Sequence, residues 1–183
     1  MIEEETATTE DQIVRRCQTG DREAFRNLVD HYQNVLYGTA YMMTNNRTVA
    51  EDQVQETLLS AWKAIGSFRS GHPFKPWLVR ILVNKVVSYQ RANSKTMESV
   101  DSNQVTDPVG DDPAGDIKRE DQLQRVLQSL SQEQRQVVLL RYFAGLSLAE
   151  TAAVLGRRQG TVKSQVHIAL EQLKEFIEDD NQL

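Results

Sequence analysis

Apolar residues recur at spacings of three and four along almost every patterned stretch of this chain, and this periodicity constrains its fold more than any other feature. The stretches DREAFRNLVDHYQNVLYG, TVAEDQVQETLLSAWKAI and WLVRILVNKVVSYQRA each place their apolar positions on one helix face. Strand-like alternation is not evident. Helix starts are further indicated by capping-box spacing at Thr48 with Glu51, Ser131 with Gln134, and Ser147 with Glu150. The sequence therefore predicts an all-α protein.

One segment interrupts the helical pattern. Residues 94–116, SKTMESVDSNQVTDPVGDDPAGD, are rich in Ser, Asp, Pro and Gly and contain few large apolar residues, so they cannot bury enough surface to offset the cost of ordering. A chain of 183 residues with 39% hydrophobic content suits two small cores. We therefore expect an acidic disordered tail over 1–11, a helical domain over 12–93, a flexible acidic linker over 94–116, a second helical domain over 117–177 and a short tail over 178–183.

The formal net charge of −5 conceals a basic interior. Residues 1–11 contain five acids, 96–116 contain six and 178–183 contain three, and none of these segments contains Lys or Arg. Residues 57–97, in contrast, contain no acid and seven basic residues, namely Lys63, Arg69, Lys75, Arg80, Lys85, Arg91 and Lys95. A solvated basic face is the ordinary explanation of such a run. Some forty residues without one balancing carboxylate nevertheless favour a polyanionic partner.

The second domain has the dimensions of a helix-turn-helix. A short helix over residues 148–155 is followed by a turn at Gly156 and by a second helix that begins near Gln159. Small or apolar residues are expected between the two helices, at Ala149, Ala152, Ala153, Val162, Val166 and Leu170. Thr161, Lys163, Ser164 and His167 would then face outward from the first turns of the second helix, where they suit phosphate and base-edge contacts. An ordinary helical hairpin with a polar outer face is the alternative.

Enzymatic function is the weakest hypothesis. Gly156, Gly160 and Lys163 suggest a phosphate loop, but that loop needs four residues between its glycines and a lysine directly after the second, and this chain has neither. Three scattered histidines and Cys17, which we expect to be buried, make no metal site, so neither a metal nor a cofactor is expected. The acidic amino terminus and the lack of a long apolar run predict a cytoplasmic protein without membrane insertion.

Four stretches together resemble an extracytoplasmic-function (ECF) sigma factor. They are AEDQVQETLLSAWKAIGSFR, FKPWLVRILVNKVVSYQR, LSQEQRQVVLLRYFAGLSLAETAAVLG and GTVKSQVHIALEQL, and the resemblance spans about residues 11–176. It implies two helical domains on a flexible linker and an initiation subunit that brings core RNA polymerase to promoter DNA. It also implies control by an anti-sigma factor. The alternative is a helix-turn-helix regulator that binds duplex DNA without joining the polymerase, although such a protein has no need of the basic, aromatic segment 68–91.

The resemblance assigns roles to residues of the first domain. The helix over residues 50–65 matches the family helix that docks on the clamp helices of the polymerase, and its matching polar positions are Asp52, Gln55 and Glu56. Gln53 stands where the family usually has an apolar residue. The following segment matches the part that melts the minus-ten element and captures a non-template base. Aromatic faces beside positive charge suit single strands, and the candidates are Phe68, Arg69, His72, Lys75, Trp77, Arg80, Asn84 and Arg91.

The second helix of the helix-turn-helix matches the family's reader of the minus-thirty-five element. Its candidate contacts are Arg157, Arg158, Thr161, Lys163, Ser164, Gln165 and His167. The family commonly has arginine at the positions of Gln165 and Ile168, so we expect weak binding with a shallow salt dependence. Gln165 carries an amide that can pair with adenine. Relative to arginine, it would lose a positive charge and gain selectivity for a base.

Overall fold

The computed structural model describes residues 2–97 and 122–180, and within these ranges the chain forms helices and no strand, which confirms the predicted all-α class. In chain order the helices are α1 Ile2–Gln18, α2 Arg22–Thr44, α3 Arg47–Ala64, α4 Phe74–Met97, α5 over residues 122–128, α6 Gln132–Val138, α7 Leu148–Leu155 and α8 Gln159–Asp180. A 3-10 turn, Ile65–Ser67, follows α3, and a π-helical turn, Leu139–Phe143, continues α6.

Helices α1 to α4 pack around one core. Leu36 of α2 and Leu78 and Leu82 of α4 are at most 2% exposed, and Phe74 at the start of α4 is 1% exposed. Burial of each such side chain contributes about 1.5–3 kcal/mol relative to exposure. The periodic apolar faces read from the sequence therefore meet in this core.

Short polar residues define the helix ends of this half. Asp21 caps α2 by accepting hydrogen bonds from the backbone N–H groups of Glu23 and Ala24, both at 3.0 Å. Asn45 closes α2 in the left-handed conformation at φ 50°, and Asn46 caps α3. The predicted capping box at Thr48 and Glu51 was therefore wrong by two residues, because adjacent asparagines allow α3 to begin directly after α2 ends.

The amino-terminal segment differs from the prediction. Residues 2–11, which were expected to form a tail, belong to α1, and the apolar side of this helix places Val14 and Cys17 in the core. Asp11 also accepts a hydrogen bond from the backbone N–H of Gly71 at 2.9 Å, which fixes the helix against a distant loop. Of the predicted linker, residues 94–97 belong to α4 and residues 98–116 lie outside the described residues; of the predicted tail, 178–180 belong to α8.

Helices α5 to α8 form the carboxy-terminal half. The capping boxes predicted at Ser131 and Ser147 are both present, so the starts of α6 and α7 are confirmed. Arg135 of α6 donates to the carbonyl oxygen of Leu127 at 2.9 Å and to that of Leu130 at 3.4 Å. The guanidinium thereby adds a donor to the carbonyl groups at and just after the end of α5, where the Leu127 oxygen also accepts from the N–H of Leu130 at 3.2 Å.

The two halves are in contact. The ring of Phe143 lies directly on Gly38 of α2, where a Cβ atom would overlap it. Gln132 Nε2 donates to Gln90 Oε1 at 2.6 Å, which joins α6 to α4. A cavity of about 390 Å³ lies between α4 on one side and α6 and α7 on the other.

Candidate nucleic-acid interface

Helices α7 and α8 and the turn between them form the predicted helix-turn-helix, with both predicted helix bounds confirmed. Gly156 adopts the left-handed conformation at φ 63°, and its N–H closes α7 on the carbonyl groups of Ala152 and Ala153. Val162 at the start of α8 is buried against Ala152 and against Val137 of α6. The angle between the two helices is thus supported by a small apolar core.

The residues that contact this core differ in part from the prediction. Ala149 and Ala153 are exposed, so Ala152 alone of the three predicted alanines is buried, together with Thr151 and Val154. Leu170 is 40% exposed and Ala169 is fully buried instead. The inward stripe of α8 therefore runs through Val162, Val166, Ala169 and Leu173, at spacings of four, three and four.

Five of the seven predicted contacts are exposed: Arg158 in the turn before α8, and Thr161, Lys163, Ser164 and His167 on its outer face. His167 Nε2 lies 3.4 Å from the carboxylate of Glu171 one turn later. Ile168, which stands where the family commonly has arginine, is 46% exposed. The face has the mixture of hydroxyl, cationic and apolar groups that contacts phosphates and base edges.

The remaining two predicted contacts, Arg157 and Gln165, bind each other and a third residue. Arg157 NH1 donates to Gln165 Oε1 at 2.8 Å, and Gln165 Nε2 donates to Glu133 Oε2 at 2.9 Å. Arg157 NH2 lies 3.2 Å from Glu133 Oε1, which closes a ring of three side chains. Glu133, in the first turn of α6, was not singled out from the sequence because it is 24 residues from Arg157 along the chain.

An aromatic cluster supports the start of α4 in the other half. The ring centroid of Phe68 lies 5.5 Å from that of Phe74 and 5.1 Å from that of Trp77. Phe68, a predicted minus-ten contact, is only 9% exposed, and its ring fills the gap between the loop and α4. Trp77 is half-buried and is the member of the cluster that reaches the surface.

Polar and basic groups surround Trp77 along α4 and the preceding loop. Arg69, His72, Arg80, Asn84 and Arg91 are exposed as predicted, and Lys75 is half-buried. Arg80, Asn84 and Arg91 follow one another at intervals of four and seven residues, which places them on one side of the helix. Asn84 and Arg91 also line the cavity between the halves, together with Arg157.

Residues of α1 hold the loop that precedes α4. Gln18 Nε2 donates to the carbonyl oxygens of Ile65 at 3.0 Å and Phe68 at 2.6 Å, and Ser70 Oγ donates to Gln18 Oε1 at 3.3 Å. Asp11 binds the N–H of Gly71 farther along the same loop. Sequence reasoning missed these contacts because they join residues about fifty to sixty positions apart and have no periodic signal.

The predicted docking positions of α3 lie together at the surface. Asp52, Gln55 and Glu56 are all exposed, and the carboxylate of Glu56 lies 3.4 Å from Lys85 Nζ of α4. Leu59 is 55% exposed one turn after them and borders a shallow apolar groove formed with Phe25, Leu58 and Trp62. The spacing of Leu59 from Gln55 and Glu56 places it on the same face, a signal that the sequence contained.

Within residues 2–97 and 122–180, no cluster of three or more His, Cys, Asp or Glu side chains has an arrangement that would hold a metal ion. Burial raises the pKa of the Cys17 thiol to about 11, so the thiol is protonated at neutral pH and is a poor nucleophile. In the same described ranges, no helix combines the length and apolarity needed to cross a bilayer.

A helix-turn-helix with a mixed polar face, together with a basic helix on which the half-buried Trp77 reaches the surface, is typical of helical nucleic-acid-binding proteins. Residues 28–96 match the family described as sigma-70 region 2, and residues 120–173 match that described as sigma-70 region 4. The first match covers most of α2, all of α3 and most of α4, and the second covers the helix-turn-helix.

Similar proteins extend the match to most of the chain. The ECF RNA polymerase sigma factor SigW of Bacillus subtilis is 30% identical over 91% of this chain and 95% of its own length. BldN of Streptomyces coelicolor is 33% identical over 92% of this chain and 66% of its own. The solved sigma factor RpoE of Bartonella quintana, in complex with the anti-sigma factor NepR, shares 29% identity and a TM-score of 0.75 over 84% of this chain and 96% of that one. The chain therefore belongs to the ECF RNA polymerase sigma factors, and it is an alternative sigma factor that directs promoter recognition.

Proposed function

We propose that the two halves of this sigma factor divide the promoter between them. The carrying observation is that the half-buried Trp77 lies among exposed basic residues on α4, whereas exposed hydroxyl and cationic side chains lie on the outer face of α8. The first arrangement suits a single strand and the second suits a duplex. On this proposal the chain performs no covalent chemistry and acts only by binding. Its compartment is the cytoplasm, where it joins the core polymerase.

The minus-ten element is proposed to bind along α4 and the loop before it. Trp77 stacks with an unpaired base, since stacking contributes about 1–3 kcal/mol per base and every base has a π face. Arg80 and Arg91 attract the backbone on the same side of the helix, and Asn84 pairs with a base edge. Phe68 supports Trp77 from beneath at 5.1 Å rather than meeting the strand itself.

The minus-thirty-five element is proposed to bind the outer face of α8. Thr161, Lys163 and Ser164 lie in its first two turns, which enter the major groove in proteins of this architecture. Arg158 lies in the turn before the helix, where it can reach a phosphate. Few basic residues lie on this face, so its electrostatic attraction to DNA is weak. Stable binding to the element therefore depends on the polymerase holding the DNA close.

Core polymerase is proposed to bind the exposed face of α3. Asp52 and Glu56 provide negative charge and Leu59 an apolar centre, the combination of buried anchor and polar rim that protein interfaces use. An arginine-bearing helix is the complementary partner.

Charge reversal tests this docking face. Asp52→Lys combined with Glu56→Lys should lower association with core polymerase by at least tenfold, measured by titration of labelled protein. Glu175→Lys with Glu178→Lys makes the same change in net charge on exposed positions of α8 and should leave the affinity unchanged. Circular dichroism checks that the first variant stays folded without the ion pair between Glu56 and Lys85. Equal affinity of both double variants would remove the assignment.

An anti-sigma protein is proposed as a further partner. The likeness to the sigma factor solved with NepR covers 84% of this chain and includes residues of both halves. Its TM-score of 0.75 over that span supports a similar mutual arrangement of the halves. A protein that stabilised this arrangement would keep the chain from the polymerase.

A further inference from the structure

Arg157 and Gln165, which are both proposed to read DNA, contact each other and Glu133 in a ring of three side chains. Its three members come from the start of α6, the turn before α8 and the second turn of α8. The three contacts measure 2.8, 2.9 and 3.2 Å, so each is within the range of a hydrogen bond or an ion pair.

Glu133 bears the only negative charge of this ring. Its side chain is 63% exposed, whereas that of Arg157 is 23% exposed. The carboxylate lies in the first turn of α6, where the helix dipole and the free N–H groups favour negative charge. Glu133 therefore lies, largely exposed, at the edge of the reading face.

The carboxylate competes with DNA for both of its partners. Arg157 would offer its guanidinium to a phosphate, but in this structure the group already faces Glu133 and Gln165. Gln165 would use its amide oxygen and nitrogen together to read adenine, and both atoms are engaged in the ring. A fixed negative charge beside the face also repels phosphates of any sequence.

We propose that Glu133 is a specificity-determining residue of the helix-turn-helix, although it makes no contact with DNA. It withholds Arg157 and Gln165 from non-specific duplex, and it releases them only where the base contacts of a cognate element compensate for opening the ring. This inference rests on the proposed reading of duplex DNA by α8.

Two substitutions separate the charge of Glu133 from its hydrogen bonding. Glu133→Gln keeps an oxygen that can accept from Gln165 Nε2 but no longer attracts Arg157, and Glu133→Ala removes both interactions. Glu178→Gln is the matched control, since Glu178 is an equally exposed carboxylate at the far end of α8, paired with Lys174 at 3.7 Å. Thermal melting of all three full-length variants verifies the fold.

Binding is measured with full-length protein by fluorescence anisotropy on a random-sequence 30-base-pair duplex across a salt series. Both Glu133 variants should bind this probe about two- to fivefold more tightly, the factor that corresponds to an exposed ion pair. The slope of log affinity against log salt should steepen by about one, because Arg157 gains a phosphate. Sequence enrichment from a randomised duplex pool should be weaker than with the parent.

The outcomes distinguish the inference from the function on which it rests. A parent that enriches no sequence from the pool, alone or with core polymerase, would overturn the duplex-reading assignment of α8 and this inference with it. A parent that enriches a sequence, with Glu133 variants whose affinity, slope and enrichment equal those of Glu178→Gln, would overturn the role of Glu133 alone.

Discussion

Asp21 shows how a single carboxylate defines the boundary between α1 and α2. The pKa of Asp21 lies below its ordinary value, mainly because its carboxylate accepts a hydrogen bond from the backbone N–H of Ala24 and next because it accepts one from the side chain of Arg16. A lowered folded-state pKa means that the stabilisation is complete above the unfolded value, near 4, and is lost as the pH falls through the folded value.

Asp21→Asn should therefore make the unfolding free energy less sensitive to acid. Asparagine keeps the capping oxygen but does not titrate, so the stability advantage of the parent at pH 7 should shrink between pH 5 and pH 2. Chemical denaturation of both proteins at several pH values measures the difference between their unfolding free energies. The contributions of all other carboxylates cancel in this difference. A difference that stays constant over the range would show that Asp21 does not contribute through its charge.

At the scale of the element, Gly156 permits the sharp turn between α7 and α8. Its φ of 63° is costly for residues with a Cβ atom, yet a Cβ placed there would meet no neighbour within 4 Å. Gly156→Ala should therefore lower the unfolding free energy by about 1–2 kcal/mol through backbone strain alone. Gly156→Asn should cost less, because asparagine tolerates the left-handed region. Equal losses in denaturant titrations of the two variants would point to another cause.

Local chemistry explains which elements could be predicted from the sequence. The bounds of α7, the start of α8 and the capping boxes at Ser131 and Ser147 follow from residues within a few positions of each other. The burial of Phe68 and the ring around Glu133 depend on contacts between elements distant in the chain, and periodicity carries no information on these. The sequence therefore predicted which residues of the candidate site are exposed better than it predicted the contacts that these residues make with one another.

At the scale of the whole molecule, residues of both halves that are proposed to contact DNA line one cavity. Asn84 and Arg91 of α4 and Arg157 before α8 all line it. The two promoter elements lie about 25 base pairs apart, which is about 85 Å of duplex at 3.4 Å per pair. On the proposed division of the promoter, the halves must therefore separate before one sigma factor can read both elements on the same DNA.

The contact of Phe143 with Gly38 provides a test of this arrangement. Gly38→Leu should force the ring off α2 and increase the radius of gyration of the free protein, measured by small-angle X-ray scattering. Gly66→Leu is the control, since a Cβ at Gly66 meets no atom within 4 Å. An unchanged radius of gyration in the Gly38 variant would show that the halves do not rely on this contact.

Promoter-specific initiation in a purified system tests the central claim most directly. Core RNA polymerase is incubated with this protein on a genomic DNA library, and the 5′ ends of the transcripts are sequenced. We predict discrete start sites that share a minus-ten and a minus-thirty-five element, are absent with core polymerase alone, and are lost together when Trp77→Ala or Lys163→Ala replaces the parent. Start sites no different from those of core polymerase alone would contradict the account.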